Sequence, residues 1–385
     1  MTYADRTRLI ASATRRGDGR RPVNPPVERA STMLSDNAAA VRDDADGPVY
    51  GLDGTSAARR LRGDLAELEG ATQAYLAPSG LAAVTIPILA LARPGDEILA
   101  SDAVYGPSRR FLSRYMAARG VATRFLRADS DAETVLGAIG ERTRLVLMES
   151  PASLTFEMID VAAVATGCRA RGVISMLDNT WAAGLAFKPL AHGVDVSVQA
   201  VTKYVAGHSD VLMGAICVSN PTLGRAIGET IEDMGWHVSP DDAWLALRGL
   251  RTLPLRYAEQ ARSALTVARW LQSRPEVSRV LYPPLPDHPS HALWSRDFTG
   301  AASLLGIVMK GGDETRAHAL MDRLTLFGMG YSWGGFETLI THETHQMDYR
   351  DHPPVLEGEL LRLHIGLEDP ADLIADLENG LSAFR

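Results

Sequence analysis

The sequence predicts an α/β protein: a large domain on a mostly parallel sheet, followed by a smaller α+β domain. Between residues 96 and 179 short apolar runs alternate with helical patterns, the signature of βαβ units. After residue 241 the pattern changes to one long helix, a proline-rich connection and further strand-like runs. The 385 residues, 46% of them hydrophobic, suffice to bury a large core without disulfides or structural metals.

Residues 1–49 read as an arm, because Pro22, Pro25, Pro26 and Pro48 break elements before they grow long. Such an arm, neither low in complexity nor strongly charged, packs on its own domain or on a neighbouring subunit. The large domain is expected over 50–240. AARRLRGDLAELE at 57–69 forms an amphipathic helix with Leu61, Leu65 and Leu68 on one side. LAAVTIPILALA at 81–92 is too short to cross a membrane and reads as a buried helix. Strands are expected at 96–102, 122–127, 144–150 and 173–179 and in DVSVQAV, with helices around 107–119, 131–139 and 158–170. The second domain, 241–385, opens on a helix over 241–274 and passes through LYPPLPDHP. Strand-like ASLLGIVMK, LTLFGM and LLRLHIG follow, with helices around 314–323 and 369–380.

Composition narrows the function. The net charge of -8 has no basic block behind it, so no nucleic-acid partner is expected. Cys168 and Cys217 have no CxxC partners, which excludes a disulfide framework and a four-cysteine zinc site. The N-terminus lacks the apolar core of a signal peptide, so a cytoplasmic protein without a membrane role is expected. HETH at 342–345 spaces its histidines three apart rather than four, and no catalytic metal is expected there.

In open α/β sheets chemistry collects beyond the carboxyl ends of the strands. Glu149 and Ser150, Asp178 and Asn179, and Thr202 and Lys203 all fall there. Lys203, desolvated at such an edge, can become a nucleophile, although a lysine after a strand taken alone is a surface residue. Asp178 stands 25 residues earlier, one βα unit away on the same rim, and by itself also reads as a turn or cap. A lysine for a Schiff base and an acid for a pyridinium nitrogen are the pair a pyridoxal phosphate site needs. Ser79 and Gly80 open an apolar helix whose unpaired N–H groups can hold a phosphate, or Ser79 is a plain cap. Tyr50, beside a glycine turn, could reach a phosphate or serve in packing. Arg362, inside an apolar run, requires an anion, and a substrate carboxylate or an internal salt bridge would serve. His208 and His237 read as structural histidines.

Taken together, VNPPVERAST, VYGLDGT, PSGLAA, VYGPSRRF, LDNTWAAGLAFKPL, DVSVQAVTKYVAGHSD, SPDDAWLALRGLRTLPLR, YSWGGFETL and LRLHIGLEDPADLIADL resemble one family from about residue 20 onward. That family is the pyridoxal-phosphate-dependent Cys/Met metabolism enzymes, and within it the bacterial cystathionine β-lyase group. The resemblance implies the aspartate-aminotransferase-like fold (fold type I) and a homotetramer built as a dimer of dimers. It implies pyridoxal 5'-phosphate as cofactor and L-cystathionine as substrate, cleaved by β-elimination in methionine biosynthesis. The γ-acting relatives, a broad cysteine-S-conjugate β-lyase and a non-catalytic binding protein on the same fold stay open as alternatives.

The resemblance also implies roles. Lys203 matches the Schiff-base lysine, Asp178 the partner of the pyridine nitrogen, and Tyr105 the tyrosine stacked on the ring. Unaided, Tyr105 reads as core. Ser79, Gly80, Leu81 and Thr202 match phosphate-binding positions, and Tyr50 matches a tyrosine lent by the neighbouring subunit. Ser332 and Arg362 match residues that hold the substrate carboxylate, with Trp333 lining the same pocket. Leu52 stands where many relatives have a phosphate-binding arginine, and Ala200 where many have a serine, so both depart from the pattern.

Overall fold

Seven strands build the large sheet: β1 (Gln73–Ala77), β2 (Glu97–Ser101), β3 (Ala122–Leu126), β4 (Thr143–Glu149), β5 (Ile174–Asp178), β6 (Val196–Gln199) and β7 (Gly214–Val218). The structure is a computed structural model that describes residues 3–14, 20, 22–42 and 48–385. Residues 1–2, 15–19, 21 and 43–47 of the expected arm lie outside the described residues. The strand order is β1-β7-β6-β5-β4-β2-β3. From β3 to β6 neighbours run parallel, as the alternating pattern requires, whereas β7 is antiparallel to both β1 and β6. Neither β1 nor β7 is distinct in the sequence. GAICV in β7 is buried at all five positions, and a short run without alternation carries no periodicity to read.

The helix Ser56–Glu69 buries Leu61, Leu65 and Leu68 and stops at Gly70, whose φ of 71° favours glycine. Helix Gly80–Leu91 is apolar nearly all round because it is buried. The expected helix at 107–119 is wound unevenly: α over Gly106–Arg110, π over Phe111–Met116 and 3-10 over Ala117–Arg119. A helix of 33 residues, Pro240–Gln272, follows, capped by Ser239 and begun by proline. It packs on Ser56–Glu69 and on the second sheet. Among the described residues no helix is long and apolar enough to cross a membrane.

That second sheet contains β8 (Val277–Leu281), β9 (Leu304–Met309), β10 (Gly328–Met329), β11 (Leu339–His342) and β12 (Leu360–His364), in the order β10-β11-β12-β9-β8. ASLLGIVMK and LLRLHIG supply its two central strands, while LTLFGM yields only the two residues of β10. β10 lies at the edge of the sheet with both residues exposed, so little burial holds it.

Behind the carboxyl ends of β5 and β6 lies a buried polar knot. Glu69 accepts from Asn179 Nδ2 at 3.2 Å, Ser197 Oγ at 3.1 Å and Gln199 Nε2 at 2.9 Å. Full burial outweighs these donors and raises the Glu69 carboxyl to about 7. The folded chain therefore keeps a proton that the unfolded chain releases above the ordinary value of 4.5, so this contribution to stability is lost as pH rises from 4.5 through about 7. Between pH 5 and 8 the wild type is expected to lose about 3 kcal/mol of stability that Glu69→Gln does not lose. Denaturant titration at both pH values reads the difference, and equal pH slopes would contradict it.

Candidate active site

The rim of the large sheet brings the sequence candidates together. In the β4/β5 register Glu149 stands beside Asp178, and in β5/β6 Asp178 stands beside Val198, five residues before Lys203. Lys203 itself sits in turns after β6, where its N–H bonds Ala200 O at 3.0 Å and its carbonyl accepts from Gly207 at 2.8 Å. Gly334, at φ 83°, covers this backbone so closely that a Cβ there would lie 2.7 Å from Tyr204 N. Only glycine satisfies both the turn and the approach.

A cavity of about 200 Å³ opens at this rim, lined by Ser79, Gly80, Leu81, Tyr105, Asp178, Thr202, Lys203, Trp333 and Arg362. Ser332 borders it through Lys203, whose Nζ donates to Ser332 Oγ at 2.7 Å. Ser332 holds a φ of 91°, a conformation costly for a residue with a Cβ. Its neighbour Trp333 stacks 5.3 Å from Lys203 Nζ. Beneath them Tyr204 accepts from Ser303 N at 2.9 Å, and Ser303 Oγ meets His364 Nδ1 at 3.0 Å, which ties the lysine turn to the small sheet. Burial pushes His364 down to about 3 and keeps it neutral.

Charge is scarce and contested here. Burial, and then the Arg362 guanidinium, lower the Lys203 ammonium to about 8, against the opposing pull of Asp178. Burial raises the Asp178 carboxyl, although Thr180 N–H donates to it at 3.0 Å and the Thr180 hydroxyl donates as well. Burial also lifts Glu149 well above the carboxylate range, with Asp178 adding to the effect, while Tyr105 N–H donates to Glu149 at 2.7 Å. The upward push is the stronger at Glu149, where the Asp178 charge adds to burial. Arg362, on β12, answers the question the sequence left open with a partial internal partner. Its Nε lies 3.6 Å from the buried Glu343 carboxylate and its Nη2 3.4 Å from Ser332 O, while the guanidinium still lines the cavity.

The residues present fit pyridoxal phosphate. A positively charged ring nitrogen would relieve the burial penalty at Asp178, and a desolvated amine stands ready for an aldehyde. Ser79 Oγ accepts from Ala82 N at 3.0 Å, leaving its own proton and the N–H groups of Gly80 and Leu81 for an anion at the helix start. Gly80 is also pressed against Ala200, to whose Cβ a methyl would come within 2.5 Å. The Thr202 hydroxyl, by contrast, already donates to Met213 O at 3.1 Å. Tyr50 does not line the cavity in this chain; it is exposed on the arm side in a bridge with Thr32. His208 and His237 do not line it either. Sequence reasoning gave no role to Glu149, Thr180 or Glu343. Thr180 was findable from the DNT that ends β5, and Glu343 hid inside HETH.

A second cavity of about 540 Å³ shares Ser153 and Leu154 with the first and is lined by Arg109, Arg110, Tyr349 and Arg350. Arg109 is held by Asp102 and by Asp351 at 2.9 Å, and Arg350 donates to Ser153 O at 2.8 Å.

Comparison with known proteins bears on the fold and the family. The cystathionine beta-lyase of Bordetella avium is 41% identical over 94% of this chain and 93% of its own length. The cystathionine beta-lyase of Escherichia coli is 40% identical over the same shares. The crystal structure of metB from Corynebacterium glutamicum superposes with a TM-score of 0.93 at 29% identity, covering 100% of this chain and 99% of that one. The fold is thus the aspartate-aminotransferase-like fold type I, and the cofactor is pyridoxal phosphate. The family described as Cys/Met metabolism PLP-dependent enzyme matches residues 6–382, and the chain belongs to it.

Proposed function

We propose that the protein is a carbon–sulfur lyase that cleaves L-cystathionine to L-homocysteine, pyruvate and ammonia, as cystathionine β-lyases do. The observation that carries the chemistry is the Lys203 amine, desolvated between Ser332 and Arg362 on the rim that bears Asp178. The similarity to two cystathionine beta-lyases over most of the chain supports the substrate. The adjoining second cavity has room for the distal arm of a two-ended amino acid.

When bound, pyridoxal phosphate supplies an aldehyde carbon for the amine and a ring that takes up charge from Cα. The chain's own residues do the rest. Arg362 and Ser332 hold the α-carboxylate and thereby turn the Cα–H bond toward Lys203. Lys203, whose ammonium is lowered to about 8, takes that proton in its neutral form and delivers it to the departing thiolate. Asp178, fixed by Thr180, would supply a countercharge to the ring nitrogen and so keep that nitrogen protonated. Tyr105, whose backbone Glu149 holds, would help hold the cofactor, and Trp333 would line the substrate side of the cavity. Ser79, Gly80 and Leu81 would hold the phosphate, with Thr202 bracing the loop beside it. The neighbouring subunit's copy of Tyr50 completes the phosphate site, which makes a dimer the smallest active form and a homotetramer the assembly. Leu52 leaves that site more dependent on backbone donors. The same reading divides the chain into an arm (1–49), a cofactor domain (50–240) and a C-terminal domain (241–385), and places the enzyme in the cytoplasm, in methionine biosynthesis.

The deciding assay is to incubate the holoenzyme with L-cystathionine and identify the keto acid and the thiol. Pyruvate with homocysteine is expected; 2-oxobutyrate with cysteine would make the protein a γ-lyase instead. Cofactor uptake gives an independent check. Because only the neutral amine adds to an aldehyde, the rate at which the apoenzyme takes up pyridoxal phosphate is expected to rise about tenfold per pH unit and level off near pH 8. A rate still climbing beyond pH 10 would show an ordinary lysine.

A further inference from the structure

His342, whose HETH context gives no helical pair of histidines, has other neighbours in the fold. Helix Glu314–Asp322 sets Glu314 and His318 one turn apart on one face, and His342 ends β11. One ligand atom from each of these three residues lies within 4.8 Å of the other two. His318 Nε2 is 3.7 Å from Glu314 Oε1, and the His318 and His342 rings meet edge-on with centroids 5.3 Å apart. We propose that Glu314, His318 and His342 form a binding site for a borderline divalent transition metal of the Zn2+ class, separate from the cofactor cavity.

The donor set selects the metal. Two imidazoles and one carboxylate suit zinc and its neighbours, whereas magnesium and calcium prefer all-oxygen shells. Zinc bonds of about 2.0–2.1 Å require ligand atoms about 3.4 Å apart in a tetrahedron. The remaining gap closes by side-chain rotation, because Glu314 and His318 are 72% and 52% exposed while His342 is nearly buried and fixed. A second, independent observation concerns how His342 is fixed. Its Nε2 lies 2.7 Å from Glu359 Oε2 and 3.0 Å from Thr344 Oγ1. A carboxylate accepts, so Nε2 carries the ring proton and Nδ1 keeps the lone pair a metal needs. That is the carboxylate–histidine arrangement by which proteins orient metal ligands. Water fills the fourth position.

The register says what the metal does not touch. Arg362 pairs with Thr341, the residue before His342, and successive residues of a strand face opposite sides of the sheet. The metal therefore stands on the face away from the substrate arginine, where it pins the helix Glu314–Asp322 to the sheet.

The test is calorimetric titration of dialysed holoenzyme with ZnCl2 in phosphate-free buffer, alongside melting curves. One Zn2+ per chain and a raised melting temperature are expected, with MgCl2 giving neither. His318→Ala with Glu314→Gln should abolish the site, and Glu359→Gln should weaken it about 10–100-fold. The visible absorption of the cofactor should stay unchanged in each variant. Absence of zinc uptake, the same affinity in the double variant, or equal affinity for Mg2+ would overturn the proposal.

Discussion

Lys203→Ala is expected to lose turnover of L-cystathionine by about 10²–10⁴-fold, the contribution of a positioned general acid–base. This is the more decisive because the chain holds only three lysines, Lys188, Lys203 and Lys310. Lys188 is occupied elsewhere: its amine donates to Leu68 O and pairs with Asp5 at 3.0 Å. Lys310 follows β9 and lines neither of the two cavities at the rim. Borohydride treatment of the wild type should therefore fix the cofactor on a peptide containing Lys203, and on no peptide of the variant. Pyridoxal phosphate should still bind the variant noncovalently through the helix start at Ser79–Leu81. Turnover within tenfold of wild type, or label on Lys188 or Lys310, would refute the assignment.

What the sequence made legible follows from where its signals are local. Strand ends announce themselves by the step from apolar to polar, so Asp178 and Lys203 could be placed on one rim from the spacing of βα units alone. The helix start at Ser79 was legible for the same reason: a cap before an apolar run is a local signal. Tyr105 was not, since an aromatic beside an apolar run reads as core until its 46% exposure over a cavity is seen. Ser332 was invisible to pattern because its significance is a backbone angle, and Trp333 because its partner Lys203 lies 130 residues away. Arg362 was half legible. Its need for an anion follows from burial, but the identity of Glu343 depends on the turn that ends β11.

The fold shows the same division. The parallel part of the large sheet was readable from β2 to β5 because helices separate those strands and enforce a period, whereas β5 and β6 are joined through only the short 3-10 turn Pro189–His192, not the expected helix. β7 carries no such separator on its β6 side, and its direction is set by the loop holding Lys203, which returns the chain antiparallel against β6. Loop closure is a long-range matter that composition does not record. In the second sheet, β9 and β12 are the buried central strands and read strongly, whereas β8, β10 and β11 depend on their neighbours for burial.

Asp178→Asn should keep the cofactor but lose about 10²–10³ in kcat, the usual consequence of removing one preorganised charge stabiliser. The amide is nearly the same shape, and its oxygen still accepts from Thr180 N–H, now at 3.0 Å from the carboxylate, so the rim should stay in place. What disappears is the negative charge that holds a proton on the ring nitrogen. Two further readouts separate this loss from simple misfolding. Borohydride should still label Lys203, because the lysine and the phosphate donors are intact. Asp178 also raises the Lys203 ammonium against burial and Arg362, so its removal must lower that amine further. Uptake of pyridoxal phosphate by the apo variant should then level off below pH 8, the reverse of what general loosening and rehydration of the site would give. KM should change little, since the roles proposed for Arg362 and Ser332 at the carboxylate do not involve Asp178. A variant with kcat within tenfold of wild type, or with an uptake midpoint moved upward, would remove Asp178 from its proposed role.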